Sequence, residues 1–156
     1  MPVLAASRKL NLNVQYAVCG EDDNNAAGTL PTTSQFRFWV RASLAGGGDI
    51  TIRLAAEDDC RAINLRYRGI DRATNVLSFS YAASPRVEGD LLLCPVVVAT
   101  EALEQGKALE AHYAHLVLHG VLHLQGWDHQ EEASASAMEK REREILGKLG
   151  YDDPYA

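Results

Sequence analysis

The hydrophobic and polar positions of this chain change period several times, and each change marks an element. KLNLNVQYAV, residues 9–18, alternates, with Leu10, Leu12, Val14, Tyr16 and Val18 on one face, and predicts a half-buried strand. GEDDNNAAG opens a polar loop placed at about residues 20–32. Thr33 or Ser34 can cap a helix that presents Phe36, Trp39, Val40 and Leu44 at helical spacing and stops at Gly46-Gly47-Gly48. DITIRLA alternates again and predicts a second strand. AEDDCRAINLRYRG predicts a helix with acids in its first turn and Gly69 at its end, an arrangement that suits the helix dipole and the C-cap. NVLSFSYA is a third strand. GDLLLCPVVVA begins as the nearly continuous apolar run of a strand buried on both faces, and Pro95 ends that strand or starts a helix. A helix then runs to Gln105, with Gly106 as its stop. ALEAHYAHLVLHGVLHLQ predicts a strongly apolar helix ending at Gly126, and EEASASAMEKREREILGKLG an amphipathic one with Met138, Ile145 and Leu149 facing inward.

Strands interleaved with helices, without repeats, linkers or low-complexity tracts, predict one α/β domain over residues 1–156: a small mixed four-stranded sheet packed with about five helices. The length suits a single core, and the 47% apolar fraction is ordinary for a globular protein. Cys19, Cys60 and Cys94 are far apart and form no C-x-x-C pair, which argues against a disulfide framework or a cysteine zinc site and fits a reducing compartment. The first residues do not follow the secretory pattern, because Arg8 and Lys9 come after the short apolar stretch. No apolar run is long enough to span a bilayer. The expectation is a soluble, cytoplasmic protein without a membrane partner.

Charge is distributed unevenly. Residues 1–36 sum to −1, residues 37–86 to +3, with eight arginines against five acids, and residues 87–156 to −8, giving the net −6. RAINLRYRGIDR concentrates Arg61, Arg66, Arg68 and Arg72 in twelve residues. Arginine without lysine suits bidentate grips on phosphate, the plainer alternative being a solvated helix face. An acidic chain would use such a patch selectively, since long-range repulsion opposes indiscriminate polyanion binding.

All five histidines lie between His112 and His129. His115, His119 and His123 are spaced by four and stack along one helix face. His119 and His123 can reach one metal ion together, Gly126 lets the chain turn back, and His129 can then supply a third nitrogen. Three neutral imidazoles fit one zinc ion with a fourth position left for water, the catalytic and not the closed structural arrangement. This puts the zinc site at the end of a central helix. His112 reads as a hydrogen-bonded core residue. For His115 a fourth ligand, a supporting group and a core residue all stay open. Gly120 stands where a zinc peptidase of similar spacing carries its glutamate base, which argues against peptide chemistry. Glycine there permits close approach to the metal or simply tight packing.

HGVLHLQGWDH closely resembles the H-G-x-L-H-L-x-G-x-D-H signature of the YbeY family of bacterial ribosome-maturation endoribonucleases. NLRYRGIDRATNVLSF, Gly89-Asp90 and LGYDDPY resemble further family segments, collinear from about Thr33 to Tyr155. The resemblance implies zinc on His119, His123 and His129, a functional arginine at Arg68, and metal-dependent cleavage of single-stranded RNA. It also implies a role at the 3′ end of 16S ribosomal RNA and in ribosome quality control, with the small ribosomal subunit as partner. Ser80, the short stretch from Tyr81 to Glu88, and Trp127 depart from the family pattern without touching an implied ligand. Physically, zinc and Arg68 would supply positive charge where a phosphodiester accumulates negative charge. The plainer role for Arg68 is a salt bridge to Asp71 or Asp90. Asp128 is a candidate to orient an imidazole, and Ser78, with Thr74, to touch substrate. The nucleophile, water or the ribose 2′-hydroxyl, stays open. Two rival readings are a non-catalytic assembly factor stabilised by zinc, and a zinc hydrolase of another substrate.

Overall fold

The computed structural model describes residues 8–18, 27–127 and 132–155. Its elements run β1 (Leu10–Ala17), α1 (Thr33–Ser43), β2 (Gly48–Ala55), α2 (Glu57–Arg68), β3 (Val76–Ala82), β4 (Val87–Leu93), α3 (Pro95–Gln105), α4 (Leu109–Leu124) and α5 (Glu132–Leu149). Among the described residues the expected α/β architecture is present, with a mixed four-stranded sheet and five helices from Thr33 onward. Strand order is β1-β2-β4-β3. β1, β2 and β4 are parallel, while β3 runs antiparallel to β4 along one edge, with a register irregularity between Ser80 and Ala82. Among the described residues no helix is long and apolar enough to cross a membrane.

Alternation along the strands divides the sheet into two faces. Ile50, Ile52 and Leu54 of β2 join Leu91 and Leu93 of β4 in the main core, where they meet Phe36, Trp39 and Val40 of α1 and Val117 and Val121 of α4. On the other face Ala55, Leu77, Leu92 and Cys94 form a smaller cluster with Cys60 of α2. Cys60 and Cys94 are both buried as free thiols, whereas Cys19 lies outside the described residues. β4 is thus covered on both sides, as its apolar run predicts. Pro95 takes the first turn of α3, where its missing N–H costs no hydrogen bond.

Local details differ from expectation in two places. The cap of α1 is Thr32, ahead of the expected Thr33 or Ser34, because Gln35 returns its side chain to the Thr32 amide at 2.8 Å and completes a capping box. Tyr16 is 45% exposed, although the alternation placed it on the apolar face of β1. Its hydroxyl donates to the Pro31 carbonyl at 2.7 Å, so the ring lies at the rim with its polar end satisfied. Of the expected polar loop, residues 20–26 lie outside the described residues.

α4 is the central helix, and it sits unusually close to the sheet. A Cβ on Gly120 would meet Leu91 Cδ2 at 2.7 Å, and one on Gly89 would meet Leu124 Cδ2 at 2.6 Å. Each glycine makes room for the leucine of the opposing element. Leu91 is fully buried in the close-packed main core, so making room for a Cβ would disturb its packing. Gly120→Ala is therefore expected to cost about 1–3 kcal/mol by overpacking. Thermal denaturation will check this, at about 2–4 °C of Tm per kcal/mol for a domain of this size.

The end of α4 is equally specified. The Trp127 amide donates to the Leu122 carbonyl at 3.1 Å and the Gly126 amide to the His123 carbonyl at 2.9 Å, a Schellman pair. Gly126 adopts φ 96°, in the left-handed range that disfavours a side chain. Gln125 bridges to the end of α1, donating to the Ser43 carbonyl at 2.6 Å and accepting from the Ala45 amide at 3.0 Å. The chain is thus turned sharply just after His123.

Candidate active site

A cleft of about 400 Å³ opens between edge strand β3 and α4. Its walls include Arg68 from the end of α2, Thr74 and Ser78 from the start of β3, His115, His119, Gly120 and His123 from α4, and Tyr155 near the C-terminus. Seven positions singled out in the sequence, Arg68, Thr74, Ser78, His115, His119, Gly120 and His123, therefore share one cavity. His129 and Asp128 lie outside the described residues. Among the described residues no group of three His, Cys, Asp or Glu side chains is placed to hold a metal ion.

The helical repeat stacks the histidines as their spacing predicts. Ring centroids lie 6.4 Å apart for His115 and His119 and 5.0 Å apart for His119 and His123. Beneath them is Glu142 of α5, fully buried. Its Oε1 accepts from His119 Nδ1, and its Oε2 accepts from the Tyr155 hydroxyl and faces His115 Nε2 at 3.3 Å. His115 Nε2 also lies 3.2 Å from the Tyr155 oxygen. Burial pushes the Glu142 carboxyl up, but the hydrogen bonds from His115, His119 and Tyr155 outweigh it and bring it down to about 2. Burial, then the same carboxylate, raises the Tyr155 phenol.

An ionised carboxylate only accepts hydrogen bonds, so His119 must carry its proton on Nδ1. Nε2 is then the basic nitrogen. A carboxylate on the far side of an imidazole, fixing its tautomer and orientation, is the usual support of a metal-ligating histidine. The donor set on α4 therefore fits a borderline-soft divalent ion such as zinc. Replacing Glu142 by alanine leaves three buried or half-buried donors without an acceptor. We expect it to destabilise the chain by at least about 2 kcal/mol, read as a fall in Tm, with Glu142→Gln recovering part of the loss.

His112 anchors the wall of the cleft. It is buried on α4, and its Nε2 lies 3.0 Å from Glu101 Oε1 of α3. Burial lowers the His112 pKa against the pull of Glu101. Glu101 also accepts from Asn75 Nδ2 at 3.0 Å, so His112, Glu101 and Asn75 tie α4 and α3 to the start of β3.

Arg68 is exposed at the cleft mouth. The salt bridges considered for it are not formed. Asp71 is held by Arg61 through two bonds of 2.7 and 3.0 Å, and Asp90 accepts from the Tyr81 hydroxyl at 2.7 Å. Among the described residues Arg68 has no carboxylate partner. Sequence reasoning missed Glu142 and Tyr155. The signal for Glu142 was its place on the inward stripe Met138, Glu142, Ile145, Leu149, where an acid has no reason to be without a buried partner.

Fold and cleft together define a class, a small α/β protein whose paired helical histidines are braced by a buried carboxylate and faced by an arginine without a carboxylate partner among the described residues. Residues 31–150 match the sequence profile of Endoribonuclease YbeY, and the chain belongs to that family. It is 51% identical to an endoribonuclease YbeY of Aromatoleum aromaticum over 97% of this chain and 96% of that protein. It is also 51% identical to one from Azoarcus sp. over the whole of this chain, but spans only 64% of that relative's length. A solution structure of a Thermotoga maritima protein, 24% identical, covers 90% of this chain and 97% of its own with a TM-score of 0.49.

Proposed function

We propose that this protein is a zinc-dependent endoribonuclease that cuts single-stranded RNA, in 3′-end maturation of 16S ribosomal RNA and ribosome quality control, in the cytoplasm and on the small ribosomal subunit. The observation that carries the reading is the His119–Glu142 pair, which orients the His119 imidazole in the same cleft as Arg68, an arginine with no carboxylate partner among the described residues. His119, His123 and His129 would hold one zinc ion. Bound there, zinc would supply Lewis acidity and positive charge beside the scissile phosphodiester.

The chain's own residues supply the rest. Arg68 would place its planar fork on two phosphate oxygens and stabilise the charge that builds as the bond to phosphorus forms. Glu142 is fully buried and engaged by three donors, so it orients His119 and does not act as a base. Gly120, packed on Leu91, contributes no side chain to proton transfer. Ser78 and Thr74 line the wall opposite the histidines and would contact the bound strand.

The test is cleavage by zinc-loaded protein, purified free of other nucleases, of one sequence offered as single-stranded RNA, as duplex RNA and as single-stranded DNA. Cutting of the single-stranded RNA alone is expected, and a 2′,3′-cyclic or a 5′-phosphate product then identifies the nucleophile. If stable, zinc-loaded protein cuts none of the three, the non-catalytic assembly-factor reading takes its place.

A further inference from the structure

On the opposite side of β3 from the histidine cleft, the sheet leaves a second concavity of about 660 Å³ that the reading above does not use. Tyr67 and Tyr81 stand at its edge, 62% and 68% exposed, and Phe79 lies between them. Tyr67 and Phe79 meet edge to face at 5.4 Å, and the Arg66 guanidinium lies 5.7 Å over the Tyr67 ring. Arg53 of β2 lines the floor. Neither Arg53 nor Arg66 is ion-paired among the described residues. The acid lining the trough, Asp90, is occupied by the Tyr81 hydroxyl.

Exposed aromatic rings on an open sheet face are unfavourable in water unless something covers them. Rings interleaved with arginines suit one occupant in particular. Bases stack on the rings whatever their sequence, and phosphates meet the guanidinium groups. The trough and the cleft lie on the two sides of the β3 edge. Consecutive residues of a strand point to opposite faces, so Phe79 borders the trough while Ser78 borders the cleft. Tyr67 and Arg68 divide in the same way at the end of α2. Arg53 and Arg66, without ion pairs among the described residues, give this face positive charge complementary to a polyanion within a chain of net −6.

We propose that this face is a stacking platform for single-stranded RNA. Tyr67, Phe79 and Tyr81 would receive bases, Arg53 and Arg66 would receive phosphates, and the strand would pass round the β3 edge to Arg68 and the histidines. The inference rests on the RNA reading of the cleft and adds to it a positioning role for residues that do not touch the reacting atoms.

The experiment uses the full zinc-loaded chain and measures fluorescence anisotropy with a labelled single-stranded RNA oligonucleotide, alongside steady-state cleavage. Tyr67→Ala and Tyr81→Ala are each expected to weaken binding by about tenfold and to raise KM while leaving kcat unchanged. Tyr81→Phe, which keeps the ring and loses only the Asp90 bond, is expected to bind as wild type. Arg53→Ala is expected to reduce the slope of log affinity against log salt by about one. Melting temperatures, little changed for these exposed positions, exclude unfolding as the cause. The platform is overturned if the Tyr67→Ala/Tyr81→Ala double variant binds and cuts RNA as wild type does, the result expected if a protein partner covers this face. It is also overturned if the variants lose kcat at constant KM. Failure of wild type to cut RNA at all removes the cleft reading, and the platform with it.

Discussion

His123→Ala is expected to abolish RNA cleavage, with a loss of at least about a thousandfold, and to lose bound zinc while keeping its fold. The order of the effect follows from removing one of the three imidazoles proposed to hold the ion. The fold survives because His123 is only half-buried at the last turn of α4, where Gln125 and the Schellman pair at Gly126 fix the helix end independently. Metal analysis, Tm and cleavage measured on one preparation test all three parts. A structural zinc would behave differently, since loss of a ligand would then unfold the chain.

Arg68→Ala is expected to lower cleavage by about a hundred- to a thousandfold, the usual effect of deleting one preorganised stabiliser of transition-state charge. Zinc content and Tm should stay at wild-type levels, because Arg68 is exposed and makes no ion pair among the described residues. kcat should carry most of the loss, since the interaction strengthens as charge develops on the phosphoryl oxygens. Arg68→Lys should recover only part of the rate, because an ammonium keeps the charge and loses the bidentate fork. An Arg68→Ala protein that cuts RNA at the wild-type rate would leave the arginine without a catalytic role and favour the assembly-factor reading.

Those two positions stood out in the sequence for physical reasons. Histidines spaced by four on an apolar helix share a face, and Arg68 ends an arginine-rich helix immediately before a glycine C-cap. Among the described residues, period together with caps, glycine stops and apolar runs located the strands and helices from β1 to α5, because two-residue and 3.6-residue spacing respond to burial on one side. What period does not encode is pairing between distant elements. That β3 takes the antiparallel edge beside β4, and so forms a cleft wall with α4, depends on how the crossovers pack. Glu142 was hidden for a related reason. Its helix reads as amphipathic with or without it, and its importance becomes plain only when α5 packs under α4 and three donors converge on one carboxylate. Gly120 was legible as a missing base, and tight packing was one of its two readings, but the packing partner was not legible. The sequence does not reveal that Leu91 stands within 2.7 Å of where a Cβ would sit.

The most direct measurement is the zinc dependence of the wild-type chain on single-stranded RNA. Protein stripped of metal by a chelator and dialysed should cut nothing, and restoring one equivalent of zinc should restore the full rate in the same sample. Stripped protein that cuts single-stranded RNA as fast as the reloaded sample would contradict the account.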